Sequence, residues 1–275
     1  MPGRMVNVVV NERRRAVAEH TTIGEIRDAV KPGADILIVN GFPVPPDSEA
    51  SEGDEIILIR RGELPPPEEF EACMVARHSP HVHEIVKRAT VGIAGLGGLG
   101  SNVAIALARM GIGTLVLADF DVVEPSNLNR QQYSTEHLGM PKTEAMARIL
   151  AGINPYLSVV TWQVVLDETN IPTIFGSVEI VVECFDRAEA KAMIIDVVGR
   201  TLPETYLVGA SGVAGYGSSN SIESVRLGEK IYMVGDFCSA AEPGRGLMAP
   251  RVGIAANHQA NLVVVLLVDG PEGPL

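Results

Sequence analysis

Two short segments carry most of the polar chemistry in this 275-residue chain. The first is Gly95-Leu-Gly-Gly-Leu-Gly-Ser (95–101), where Gly95, Gly97, Gly98 and Gly100 permit a tight turn and close backbone approach to an anion. A helix beginning there would aim unpaired N–H groups and a partial positive charge at a phosphate. The second is Asp119-Phe-Asp-Val-Val-Glu-Pro-Ser-Asn-Leu-Asn-Arg-Gln (119–131), with two carboxylates, two amides and a guanidinium. Arg130 can fork onto phosphate oxygens, while Asn127 and Asn129 can donate from their amides. Asp119 follows the glycine loop at the separation expected of a carboxylate that receives a ribose hydroxyl. Lys142, after Gly139-Met-Pro, adds a compact positive charge, although alone it reads as a solvated surface lysine. Asp186 can offer oxygen ligands to magnesium. A dehydrogenase would share the loop and the first acid, but a nicotinamide needs an apolar slot and has little use for this polar cluster. The residue types favour a nucleoside triphosphate.

These side chains need a scaffold that brings them to one crevice. Thr90–Ala94 reads as a buried strand running into the glycine loop, and Ser101–Met110 as the helix leaving it, with Val103, Leu107 and Met110 on one side. Thr114–Ala118 is a second strand, Lys142–Leu150 a helix, Leu157–Val165 a strand and Ile180–Glu183 a short, strongly apolar strand. Continuous apolar strands alternating with helices predict an α/β, doubly wound, Rossmann-like domain with a mainly parallel sheet. Ligands of such sheets lie beyond the carboxyl ends of the strands, where 119–131 begins. Residues 236–252, rich in Gly, Pro and small side chains, read as a long functional loop, and Ala255–Val268 as a buried helix, with a strand as the alternative that periodicity leaves open.

The chain changes character near Gly62. Before it, Val6–Val10, Ile36–Val39 and Ile56–Ile59 read as strands, with turn signals at Asn40-Gly41 and Gly53-Asp54. Thr22–Val30 reads as a helix with a capping box between Thr22 and Glu25. This order fits a small β-grasp, ubiquitin-like α+β domain over 1–62, and other small α+β folds share the same order. A Pro-rich acidic stretch (62–69) reads as irregular, giving a linker over 63–75 and a nucleotide-binding domain over 76–275. The net charge is -12, and most of it falls after residue 62, where 14 basic face 24 acidic residues. That balance argues against generic nucleic-acid binding. The longest apolar run, Leu262 to Val268, is too short to span a membrane. With no export signal, a cytoplasmic location is expected. Cys73, Cys184 and Cys238 form no CxxC pair, so no zinc site is expected. His78, His81 and His83 read as a solvated cluster rather than a metal site.

Gly-Leu-Gly-Gly-Leu-Gly-Ser (95–101), the Asp119/Asp121 pair, Ser-Asn-Leu-Asn-Arg-Gln (126–131), Pro141-Lys142 and Cys184-Phe-Asp186 resemble, in order and spacing, the adenylating enzymes related to ubiquitin-activating enzyme. The resemblance is nearest to the ThiF, MoeB and HesA proteins, and segments 211–220 and 243–253 resemble the short ThiF branch of thiamine biosynthesis. Val39-Asn-Gly-Phe-Pro-Val (39–44) and Glu52-Gly-Asp-Glu-Ile (52–56) are similar to the sulfur carrier ThiS.

The resemblance implies a homodimeric, MgATP-dependent adenylyltransferase that activates the C-terminal glycine of a separate ThiS-like carrier ending in Gly-Gly and releases pyrophosphate. It implies that the glycine loop and Asp119 hold adenosine, that Asn127 and Arg130 grip the phosphates, that Lys142 bridges nucleotide oxygens and that Asp186 binds magnesium, with Asp121 as a neighbouring partner. It also implies an arginine lent to the partner subunit. Arg77 lies in the corresponding segment, without the usual Arg-Tyr-x-Arg-Gln wording. Cys238 occupies the third of the chain where some relatives keep a cysteine that joins the carrier covalently, and the loop over 236–252 is expected to arch over the carrier tail. The fused ThiS-like domain departs from a working carrier, because Gly62 has no glycine neighbour and no free carboxylate. Alternatives are activation of a carboxyl group on modified tRNA, a non-catalytic regulatory dimer and, last, a nicotinamide oxidoreductase.

Overall fold

A computed structural model of the chain describes residues 4–78 and 80–275. The chain divides into two compact units, Met1–Pro80 and His81–Leu275.

In the first unit, β1 (Met5–Val10) and β2 (Arg13–Ala18) form an antiparallel hairpin. Asn11 and Glu12 both adopt positive φ (44° and 64°), the backbone that lets a two-residue turn follow the strand twist. Helix α1 (Ile23–Val30) starts at Thr22, whose side chain and that of Glu25 close the expected capping box. Strands β3 (Ile36–Val39), β4 (Phe42–Pro43) and β5 (Glu55–Ile59) complete a sheet of order β2-β1-β5-β3-β4. Alternation sends Val6, Val8 and Val10 inward with Ile56 and Leu58, against Ile23 and Ile26 of α1. This is the β-grasp arrangement the sequence predicts, with two added strands, β2 and β4. Edge strand β2, Arg-Arg-Arg-Ala-Val-Ala, buries no residue, so its sequence carries no apolar alternation; its pairing with β1 makes it a strand.

The segment read as an irregular linker contains a helix, α2 (Pro67–His78). Its prolines stand at the start, where a missing N–H costs nothing, and the Pro66 carbonyl accepts the N–H of Glu69 and Phe70. Glu69 fastens α2 to the β-grasp sheet: its Oε1 accepts from Lys31 Nζ and Asn11 Nδ2, both at 2.9 Å. Asn11 also takes the Leu58 N–H at 2.8 Å and donates to the Leu58 carbonyl at 3.2 Å, so one amide joins hairpin, β5 and α2.

In the second unit, α3 (Pro80–Val86) leads to β6 (Thr90–Ala94), α4 (Gly98–Met110) and β7 (Thr114–Ala118). Then follow α5 (Lys142–Ile153), β8 (Ser158–Trp162), α6 (Ile171–Phe175), β9 (Ile180–Glu183) and α7 (Ala188–Thr201). Strands β10 (Tyr206–Ala210), β11 (Glu223–Arg226) and β12 (Ile231–Gly235) precede the long α8 (Ala249–Val268). The sheet order is β11-β12-β10-β9-β6-β7-β8, parallel except for β11. Alternate residues face two cores: Ile93, Leu115 and Val182 join one, Ala94, Val116 and Val181 the other. The order of connection reverses between β6 and β9, which makes a crevice beyond their carboxyl ends.

Among the described residues α8 is the one helix long and apolar enough to cross a membrane. Its apolar surface is used internally, with Val252, Ala255, Ala256, Leu262, Val263 and Leu266 buried and α4 packed beside it. His83, expected on a solvated surface, is buried, because it lies on the short helix that also brings Val86 into the core. Asn11→Gly keeps the turn's backbone freedom but removes the amide, so it should destabilise the first unit by about 1–3 kcal/mol. Hydrogen exchange at the Leu58 amide should show that loss of protection.

Candidate active site

The glycine loop turns directly off β6. Gly95 has φ +91°, and Gly100 approaches the Gly95 carbonyl so closely that a side-chain carbon there would collide with it. Helix α4 begins at Gly98 with no side-chain cap at Gly97, leaving first-turn amides open to an anion. Asp119, at the end of β7, is buried and holds this loop in place. Its Oδ2 accepts the Leu96 N–H at 2.6 Å and its Oδ1 the Asp121 N–H at 2.8 Å. Burial raises its carboxyl above the usual value, against the pull of those two amides and of Lys142. Tyr133 closes the other side, donating to the Leu96 carbonyl at 2.9 Å. Burial, with the Asp119 charge nearby, pushes its phenol far up.

The 126–133 segment lies along the first turn of α4. Ser101 Oγ takes the Gln132 N–H at 3.2 Å, and Asn102 bonds the Gly98 carbonyl, the Arg130 carbonyl and the Gln132 side chain. A methyl group at Gly98 would stand 3.4 Å from the Arg130 side chain, and one at Gly97 would stand 3.9 Å from Gln131 Nε2. Arg130 and Gln131 therefore line the glycine loop. Arg130 Nε and Gln131 Oε1 are buried and have no hydrogen-bond partner among the described residues. Buried polar groups are ordinarily paired, so two orphans beside an uncapped helix end mark a place for a polar ligand.

The other expected site residues differ in their surroundings. Asn127 is buried and turned partly to its own loop, taking the Glu124 N–H at 3.0 Å. Asn129 accepts from Arg130 Nη1 at 2.8 Å, so it orients the guanidinium. Lys142 is buried, not solvated, and its Nζ meets Asp121 Oδ2 at 2.8 Å; the turn from 121 to 142 closes over it. Asp186 is exposed and has no hydrogen-bond or ion-pair partner among the described residues, which leaves its carboxylate available to a cation. The Cys184 carbonyl and the Phe185 ring would each lie within 3.3 Å of a side-chain carbon at Gly95, so the 184–186 turn abuts the glycine loop. Arg77 is exposed on α2. It belongs to the first unit, where it pairs with Glu12 at 3.5 Å.

Sequence reasoning missed Gln131 as a site residue and missed the wall beneath Asp186. There Glu183 is fully buried, paired with Lys191 Nζ at 2.8 Å, and burial raises its carboxyl. The loop after β12 is braced similarly. Asp236 Oδ1 takes the N–H groups of Cys238 (3.0 Å) and Ser239 (2.8 Å), and its Oδ2 meets the buried Arg251 at 2.6 Å. Cys238 is exposed on that turn, beside Phe237 at φ +59°. Cys184 is buried and its thiol is pushed well up by burial, as expected of a core residue. No group of three or more His, Cys, Asp or Glu positioned for a metal occurs among the described residues. An open recess of about 420 Å³, lined in part by Leu202, Thr205 and Ile231, lies at the amino ends of the strands, away from this cluster.

A glycine loop at the switch point, beside a basic and amide-rich wall, agrees with the comparison to known proteins. The ThiF family model matches residues 73–272, and a ThiS-like ubiquitin model matches residues 6–62. The chain belongs to the ThiF family. The chain spans only 30–40% of the length of several curated relatives it matches, among them UBA4 and ubiquitin-like modifier-activating enzyme 5 proteins. It is 30% identical over 190 residues to the molybdopterin-synthase adenylyltransferase of Salmonella typhimurium, covering 67% of this chain and 75% of that protein. It is 35% identical over 131 residues to the adenylyltransferase and sulfurtransferase UBA4 of Candida glabrata, covering 46% of this chain and only 30% of that longer protein. The fold resembles that of the E. coli tRNA N6-threonylcarbamoyladenosine dehydratase TcdA, solved in complex with AMP. The TM-score is 0.67 at 20% identity, over 76% of this chain and 98% of that one.

Burial pushes the Asp236 carboxyl upward, but the Ser239 and Cys238 donors and Arg251 outweigh it and hold it well below the usual carboxylate range. A folded value below the unfolded one of about 3.9 stabilises the protein above that pH, and the contribution fades as pH falls toward the folded value. Thermal unfolding of wild type and Asp236→Asn should therefore differ fully near neutral pH, with the gap narrowing below about pH 4.

Proposed function

We propose that this chain uses MgATP to adenylate the C-terminal glycine of a separate, ubiquitin-like carrier protein, releasing pyrophosphate. The observation that carries the reading is the pair of orphaned polar atoms, Arg130 Nε and Gln131 Oε1, beside the uncapped start of α4. The finer form of the proposal takes ThiS as the carrier, thiamine biosynthesis as the pathway and a cytoplasmic homodimer as the working state. The ThiS-like unit and the ThiF-branch motifs support it.

The chemistry suits the residues. A carboxylate is already ionised at neutral pH, so its attack on the α-phosphorus needs no general base. It needs two mutually repelling anions to be aligned and the charge gathering on the phosphates to be offset. In this reading the glycine loop and α4 amides receive phosphate oxygens, and Asp119 both braces the loop and faces the ribose. Arg130, oriented by Asn129, forks onto the phosphates with Gln131 and Asn127 at its side. Lys142 has one donor committed to Asp121 and can turn its others to the nucleotide. Asp186 would hold the magnesium, which offsets phosphate charge when bound. The fused β-grasp unit is not the acceptor, since the chain continues past Gly62 into a helix pinned by Glu69.

Pyrophosphate exchange into ATP tests the reading. Exchange that requires a separate Gly-Gly-ending carrier supports it. Exchange that requires modified tRNA instead would replace the substrate, and tight ATP binding without exchange under either condition would replace the activity with a regulatory one. Arg130→Ala and Asp186→Ala should each lower exchange by about 100-fold or more. Their melting temperatures should stay near that of wild type, because Asp186 has no partner among the described residues and Arg130 lies on the crevice wall.

A further inference from the structure

The segment that carries Asp186 is closed at both ends by one ion pair, between a fully buried glutamate and a half-buried lysine. Glu183 is the last residue of β9, and Lys191 lies in the opening turns of α7. Glu183 Oε1 accepts the Phe185 N–H at 2.6 Å and Lys191 Nζ at 2.8 Å, while Oε2 accepts Lys191 at 3.0 Å and the Ala210 N–H at 3.4 Å. The same ammonium donates to the Ala210 carbonyl at 2.9 Å, which anchors the pair to β10. From α8, Gln259 donates to the Glu183 and Val208 carbonyls at 3.1 and 3.3 Å. All of this lies beneath residues 184–190, and Asp186 stands exposed on that arch.

We propose that Glu183 and Lys191 are positioning residues that set the Asp186 carboxylate for the divalent cation of a bound nucleotide. The inference rests on the nucleotide reading above and adds two residues that no sequence motif singles out. A pair needed only for packing would be better replaced by apolar groups, since a buried ion pair contributes little net stability. Its geometry instead ties the entry and the exit of a single loop. The glycine loop does not depend on it, because the Cys184 N–H stays in the sheet on the Ala94 carbonyl at 2.9 Å. Loss of the pair should therefore loosen residues 185–190 and leave the phosphate cradle intact.

The test measures ATP binding by the full-length protein with and without Mg2+, by calorimetry, so it does not depend on turnover. In Lys191→Met, the metal affinity of the ATP complex should fall by about 10–100-fold, as for other groups that orient a metal ligand. Metal-free ATP affinity should stay within about twofold of wild type, because the pair orients a ligand of the metal and not the phosphate cradle. Lys191→Arg, which keeps the charge, should recover most of the loss. Should Lys191→Met fail to fold, Glu183→Gln/Lys191→Met removes both charges together and carries the same comparison. Equal weakening with and without Mg2+, or no weakening at all, would overturn the assignment, as would a wild type whose ATP affinity ignores Mg2+. A wild type that binds MgATP with a clear metal effect but exchanges no pyrophosphate would instead overturn adenylation and leave this assignment standing.

Discussion

The crevice depends on one buried carboxylate. Asp119 sits at the end of β7 and reaches across to the Leu96 N–H of the glycine loop, while its second oxygen holds the Asp121 N–H. A buried charge is costly unless it is well bonded, and here two backbone amides and a nearby ammonium offset the burial. The consequence is geometric. The loop after β6 and the loop after β7 are tied together, so the open amides of α4 and the wall bearing Arg130 keep a common frame. With Tyr133 fastened to the Leu96 carbonyl, Leu96 is held through both of its backbone polar groups.

The same device recurs along the carboxyl edge of the sheet. Glu183 at the end of β9 takes the N–H two residues on, at Phe185, and Asp236 just after β12 takes that of Cys238. Each acid also meets a cation from an adjoining element: Lys191 from α7 and Arg251 from α8, as Lys142 from α5 meets Asp121 beside Asp119. Acid-to-amide turns of this kind let loops leave a parallel sheet in a defined direction without an apolar core of their own. This edge is thus built with its own acids already engaged, and among the described residues Asp186 is left without a partner.

The N-terminal unit has the architecture of a carrier and the connectivity of something else. A carrier must present a free, flexible carboxylate, whereas here β5 leads into α2, and Glu69 binds that helix to Lys31 and Asn11. The Asn11 amide, bonded to both backbone groups of Leu58, extends the β1–β5 ladder beyond the last paired residues. A β-grasp surface has been kept while its reactive end has been closed.

Much of this was legible in residue order. The glycine loop between an apolar strand and a helix, the acid ending the next strand, the capping box at Thr22 and Glu25, and the apolar strands of a parallel sheet all express short-range constraints of turn geometry, periodicity and helix ends. They place the crevice beyond the strand ends, with Asp119 beside the glycine loop. Strand β2 and helix α2 escaped because neither has a buried stripe; an antiparallel neighbour and one salt-bridged glutamate make them regular. The burial of Lys142 and His83, the orphaned Gln131 and the Glu183–Lys191 clasp were decided only by the tertiary structure. Whether a polar side chain is solvated, paired or stranded depends on what covers it, and the covering groups come from elements far away in the chain.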